Sequence, residues 1–225
     1  PTILPEGLAI NAVAKRHDPR DALISNIGLT LAELPEGSRV GTGSLRRGAQ
    51  ILHHFPNLQI ISIRGNVDTR IRKLKESGEF DAIVLAVAGL ERMGLGEEIT
   101  EIISPDIMLP APGQGIVAIE SRAGDQETTD ILRTINHLET EIAAISERAF
   151  LFRLGGDCNV PAGCNARLHD DLISLSGIIS SPDGKMLIKE DASGPIEEAS
   201  QLGEQLADMM LEQGGDKILE RLSIS

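Results

Sequence analysis

Seven consecutive apolar residues, Ala82-Ile-Val-Leu-Ala-Val-Ala88, constrain the fold of this 225-residue chain more than any other feature. An apolar run without alternation suits a strand covered on both faces, as in a parallel sheet sandwiched between helices. The preceding sequence has the rhythm such a sheet needs. Ser38-Arg39-Val40-Gly41 reads as a strand entering the turn Thr42-Gly43, and Ser44 caps a helix to about Phe55. Leu58 to Ile63 is the next strand, and Asn66 opens a helix to about Glu76. Strand–helix repetition of this kind predicts α/β architecture with right-handed crossovers. Ligands in such sheets sit beyond the carboxyl ends of the strands, where helix N-termini lie.

The pattern changes after Leu109-Pro-Ala-Pro-Gly-Gln-Gly115, a breaker-rich stretch expected to be a hinge. Ile116 to Glu120 reads as one strand, Gln126 to Asn136 as a helix, and Leu138 to Leu154 as a long amphipathic helix stopping at Gly155-Gly156. Ala166–Leu168, Leu172–Ile179 and Lys185–Glu190 read as short antiparallel strands, the last two joined by the turn Ser181-Pro-Asp-Gly184. A final helix from Ile196 to Gln213 closes a small α+β unit. No internal repeat interrupts this order.

Charge narrows the function. The net charge is −13, yet Ser44 to Lys75 hold seven Lys or Arg against the single acid Asp68, so this stretch is +6 and the remainder −19. A basic island in an acidic protein is a candidate anion site, while the overall charge opposes nucleic-acid and membrane-surface partners. Absence of Trp and Tyr removes stacking platforms for single strands. No apolar run approaches the roughly 18 residues of a membrane span. Two cysteines are too few for a disulfide scaffold, so a reducing cytoplasm is the expected compartment.

Gly41-Thr-Gly-Ser-Leu-Arg-Arg47 is only partly a phosphate loop: Arg46 stands where a dinucleotide fingerprint has Gly, and the P-loop lysine is absent. What remains is a strand, a tight turn and a helix N-terminus followed by two arginines. Arg64-Gly-Asn66 with Arg70 repeats the arrangement, and Ala88-Gly-Leu-Glu-Arg92 does so again. Arg46, Arg47, Arg64, Arg70 and Arg92 are therefore expected to converge on one crevice suited to a multicarboxylate ligand. Arg72, Lys73 and Lys75 read as a solvated face. Cys158 lies in a loop after a long helix, and Cys164 suits a small buried side chain. The five histidines show no nucleophile–base spacing, and no zinc set accompanies the cysteines.

The segments Asp18–Ala22, Val40–Arg47, Arg64–Asn66 with Thr69-Arg70, Asp81–Leu90, Leu109–Gly115, Glu147–Ala149 and Gly156–Pro161 together resemble the porphobilinogen deaminase (hydroxymethylbilane synthase) family, in family order across the chain. The resemblance implies two α/β domains like type II periplasmic binding proteins and a small C-terminal α+β domain. Its boundaries would be 1–19 as a remnant of domain 1 and hinge, 20–109 as domain 2, 110–135 as hinge and returning strand and helix of domain 1, and 136–225 as the C-terminal domain. It implies a transferase that condenses four porphobilinogen molecules head to tail into hydroxymethylbilane with release of ammonia. A dipyrromethane cofactor would be held by a thioether to Cys158, with Arg46, Arg47, Thr42 and Ser44 as further cofactor-binding residues. Arg64, Arg70 and Arg92 would bind substrate, and the partners would be porphobilinogen and pyrrole-chain intermediates, acting on a monomer in the complete enzyme. In the family, a His-Ser-Met-Lys-Asp-Val segment precedes the proline matching Pro1 and carries the acid/base aspartate. These 225 residues lack it, so no catalytic residue is assigned, and an inactive fragment is expected in which Ile116 to Leu132 lack a partner. The alternative is a non-catalytic carboxylate-binding module of periplasmic-binding-protein type.

Overall fold

The computed structural model describes residues 4–155 and 160–223. Its elements, in chain order, are β1 (Leu8–Val13), β2 (Asp21–Ser25), β3 (Arg39–Gly41), α1 (Leu45–His54), β4 (Gln59–Ile61), α2 (Val67–Glu76), β5 (Ala82–Ala86), α3 (Val87–Arg92), β6 (Glu101–Ile102), β7 (Ala118–Arg122), α4 (Gln126–Arg133), α5 (Leu138–Arg153), β8 (Ala162–His169), β9 (Leu172–Ser180), β10 (Leu187–Pro195), α6 (Ala199–Met210) and α7 (Asp216–Ser223). They form three sheets and a mixed α/β architecture.

The central sheet has the order β4-β3-β5-β2-β6. Strand β5 lies in its middle and is buried on both faces, as the apolar run requires. Ile83 and Leu85 join one core with Ala22, Ile24, Ile63 and Leu74. Ala82 and Val84 join the other with Leu23, Val40, Ile51 and Met108. The apolar run is divided: Val87 and Ala88 already belong to α3. The sheet is not wholly parallel. β3 pairs in parallel with β4 and β5, but β2 runs antiparallel to β5 and β6. Side-chain pattern reports burial and not strand direction, so the sequence could not separate the two cases.

The second sheet corrects an expectation. β7 has a partner, pairing antiparallel with β1 from Leu8↔Arg122 to Val13↔Ala118, with an irregularity between Ile10 and Ala12. The two segments linking this ribbon to the central sheet run side by side. Ala14 N–H donates to the Val117 carbonyl and His17 N–H to the Gly115 carbonyl, both at 3.0 Å. Gly115 sits at φ +84°, and a Cβ there would lie 2.7 Å from the His17 carbonyl oxygen, so glycine is required for the close approach.

The third sheet, β10-β9-β8, is antiparallel and is covered by α5 and α6. Phe150, Cys164, Ile173, Leu175, Leu206 and Met210 form its core. The closing helix is not continuous: Gly214 takes φ +104° beyond α6, and α7 follows. Among the described residues no helix is long and apolar enough to cross a membrane.

Candidate functional site

Strands β4, β3 and β5 are parallel, so their carboxyl ends share one edge of the sheet. Helix α1 starts there. Ser44 caps it, its Oγ accepting the Arg47 N–H at 3.4 Å, and Thr42 Oγ1 accepts the Ser44 N–H at 3.2 Å. These hydroxyls shape the turn that delivers Arg46 and Arg47. Both arginines are buried, at 4% and 9% exposure.

Their countercharge is Asp21, at the head of β2 and itself fully buried. Arg46 Nη1 donates to Asp21 Oδ2 at 2.8 Å and to the Leu109 carbonyl at 2.7 Å. Arg47 donates to Asp21 Oδ1 through Nε at 3.0 Å and Nη2 at 2.8 Å, and through Nη1 to the Val84 carbonyl at 3.2 Å. Gln114 Nε2 adds bonds to Asp21 Oδ1 at 2.9 Å and to the Pro19 carbonyl at 2.6 Å, while its Oε1 accepts from Arg46 Nη2 at 3.4 Å. Burial works to raise the Asp21 pKa, but the two guanidiniums outweigh it and hold the carboxyl below the usual range. Two buried guanidiniums against one carboxylate leave a net positive charge. Arg46 Nε is also buried without a hydrogen-bond partner among the described residues. A positive, partly unsatisfied cluster at a strand end has the chemistry to accept anionic oxygens.

Burial divides the five arginines. Arg70 is half-buried, its Nε donating to the Gly65 carbonyl at 2.7 Å. Burial and the field of Arg47 both lower its pKa, which places it beside the buried pair. Arg64 and Arg92 are exposed at the ends of β4 and α3, with Arg92 Nη2 3.4 Å from the Gly115 carbonyl oxygen. Arg46 and Arg47 are thus the buried floor of the basic edge, with Asp21 compensating one of their two charges. Arg72, Lys73 and Lys75 are exposed along α2.

A second polar centre joins the hinge to the C-terminal unit. Glu147 on α5 is fully buried and meets Arg16 in a two-pronged pair at 2.5 and 3.1 Å. Its carboxylate also accepts the Gly113 N–H at 2.6 Å and the Ala166 N–H at 2.7 Å. Burial pushes the Glu147 carboxyl up, while Arg16 and the two amides pull against it. Cys164 is fully buried nearby, and burial, with Glu147 adding to it, pushes its thiol well up. Cys158 lies outside the described residues. Among the described residues no group of His, Cys, Asp and Glu is placed to hold a metal ion.

Asp21, Gln114 and the pair Arg16–Glu147 carry no role in the sequence reading. The available signal for Asp21 was an acid heading an otherwise apolar strand, Ala22-Leu-Ile24. For Gln114 it was a long polar side chain between the two hinge glycines.

Residues 1–130 match the family model "Porphobilinogen deaminase, dipyromethane cofactor binding domain", and residues 142–212 match "Porphobilinogen deaminase, C-terminal domain". The chain is 44% identical to the porphobilinogen deaminase of Syntrophotalea carbinolica over 225 residues, covering all of this chain and 71% of the relative. It is 50% identical to that of Halalkalibacterium halodurans over 224 residues, covering 99% and 71% respectively. It is 46% identical to that of Synechococcus sp. over 225 residues, again covering 99% and 71%.

Proposed function

The chain belongs to the porphobilinogen deaminase family, and from that premise we propose that its basic sheet edge holds the carboxylates of a pyrrole chain during condensation of porphobilinogen into hydroxymethylbilane with loss of ammonia. The observation that carries this reading is the buried Arg46–Arg47 pair, whose two charges face one carboxylate and whose Arg46 Nε lacks a partner among the described residues. That donor set suits a covalent dipyrromethane, which brings its own carboxylates. Arg46 and Arg47 would hold it, with the Ser44 and Thr42 hydroxyls beside them, and Cys158 is its attachment point by family resemblance. Bound there, the group supplies a fixed pyrrole pair as acceptor for the growing chain.

Arg64, Arg70 and Arg92 are assigned to the incoming substrate. Guanidinium forks grip carboxylates in a bidentate manner and so orient the ring they carry. The paired connections at Ala14–His17 and Gly115–Val117 support a two-domain arrangement of the type II periplasmic-binding-protein kind, with boundaries at 1–19, 20–109, 110–135 and 136–225. A monomer in a reducing cytoplasm, without nucleic-acid or membrane partners, fits the acidic charge and the free, buried Cys164. A non-catalytic carboxylate-binding module would explain the basic edge, but identity to named deaminases along the whole chain favours the enzyme.

Peptide mapping with an acid aldehyde reagent for pyrroles tests the assignment without requiring turnover. A pyrrole adduct on the Cys158 peptide, lost in Cys158→Ser and kept in Cys164→Ser, is the expected result. An adduct on Cys164 overturns it.

A further inference from the structure

We propose that the junction between the hinge and the C-terminal sheet holds a second anion site, for a small carboxylate- or phosphate-bearing oxyanion. It is separate from the basic edge and independent of the function assigned to that edge. A cavity of about 480 Å³ opens there, lined by Arg16, His17, Arg20, Asn165 and Arg167 with Asp18 as the one acid. With Glu147 behind Arg16 counted beside Asp18, three guanidiniums face two carboxylates, an excess of one positive charge in a chain of net charge −13.

Two of the arginines are committed. Arg16 is held by Glu147, and Arg20 by Asp18 at 2.5 Å. Arg167 is different: it is exposed, and among the described residues it has no ion pair or hydrogen bond, so its whole fork is free. Asn165 supplies the second observation. It is 94% buried, since its exposure is 6%, yet its side-chain amide has no partner among the described residues and lines the same cavity. The amide is not among the water-shielded unpartnered atoms, so it opens into the basic cavity with its donors available to a bound oxyanion.

The strand explains how the two arrive together. Successive side chains on β8 alternate in direction. Cys164, Ala166 and Leu168 pack into the C-terminal core, so Asn165 and Arg167 share the opposite face, towards the hinge. The Ala166 N–H on Glu147 fixes that strand relative to Arg16. An oxyanion here would take the Arg167 fork and the Asn165 N–H together, bridging the C-terminal sheet to residues 16–20. The cavity has room for a small dicarboxylic acid as well as for phosphate.

The test is titration of the full chain with inorganic phosphate and, separately, with succinate, following the Arg167 Nε–H and Asn165 amide resonances. Saturable shifts at both groups are expected with at least one probe, and the tighter of the two identifies the source of the oxyanion. Arg167→Ala, which removes an unpaired surface side chain, should weaken that binding about ten-fold or more. Lys73→Ala and Arg64→Ala should leave it unchanged. Absence of shifts with both probes, or undiminished binding by Arg167→Ala, overturns the proposal.

Discussion

Asp21 shows at residue scale how much depends on one carboxylate. Asp21→Asn would leave Arg46 and Arg47 buried and uncompensated, and breaking a buried pair of this kind costs about 3–5 kcal/mol. The same carboxyl sets a pH dependence. Its folded pKa lies below its unfolded one, so its contribution is present above the unfolded value and lost as pH falls through the folded one. Urea midpoints should therefore decline below about pH 4, and less steeply in Asp21→Asn; an equal acid slope in both proteins contradicts this role. Cys164 should resist alkylation until the chain unfolds, because the thiolate is the reactive form and burial disfavours it. Rapid labelling of Cys164 in the native protein would contradict its placement. Cys164 is buried within β8, and the sequence suggested a small buried side chain there, as it leads into the strand Ala166 to Leu168. It did not disclose Asp21 as a countercharge, because a charge inside a strand is interpretable only once its partners, 25 and 26 residues away, are in place.

At the scale of elements, local chemistry was legible and distant pairing was not. Ser44 and Asn66 cap α1 and α2 where the sequence places them, since capping is settled within four residues. The basic edge followed from the same units, as three strand–helix turns each carry arginine. Strand β1 went unread because its partner β7 lies some 110 residues away in sequence, Leu8 facing Arg122. Pairing does not make this ribbon strong. Two strands alone are marginal, and α4 beside them buries no residue fully. Amides of β1 and β7 should exchange well before those of β5, and equal protection would mean the ribbon is covered more fully than its own chain provides. Helices α5 and α6 meet through Gly203, where a Cβ would collide with the Ser146 carbonyl oxygen. Gly203→Ala should cost about 1–3 kcal/mol by overpacking, seen as a lowered Tm; an unchanged Tm would show that the helices can separate freely.

Across the whole molecule, three apolar clusters lie within two stretches of sequence. Two cover the faces of the central sheet between Ala22 and Met108, and the third lies between Ala143 and Ile218. Among the described residues, polar contacts that join the stretches directly or through the hinge include Cys164 N–H to the Pro110 carbonyl, His53 Nδ1 against the Gly184 carbonyl, Arg16 N–H to Thr140 Oγ1, and the Arg16–Glu147 centre with its bond to Gly113. Of these only the last is a charged pair shielded from water, so its loss is expected to weaken the coupling most. Arg16→Ala would strand the Glu147 carboxylate in the interior of the C-terminal unit, at a cost of about 3–5 kcal/mol borne by that unit first. The two cores should then separate in urea. Alkylation of Cys164 reports the C-terminal core, and exchange at Ile83 to Leu85 reports the central sheet. In the unsubstituted chain both signals should change over one range of urea, whereas in Arg16→Ala the Cys164 signal should move to lower urea and leave the sheet's nearly in place. Should both signals shift together, the two stretches share a single cooperative unit held by their apolar contacts, and the Arg16–Glu147 centre is not what couples them.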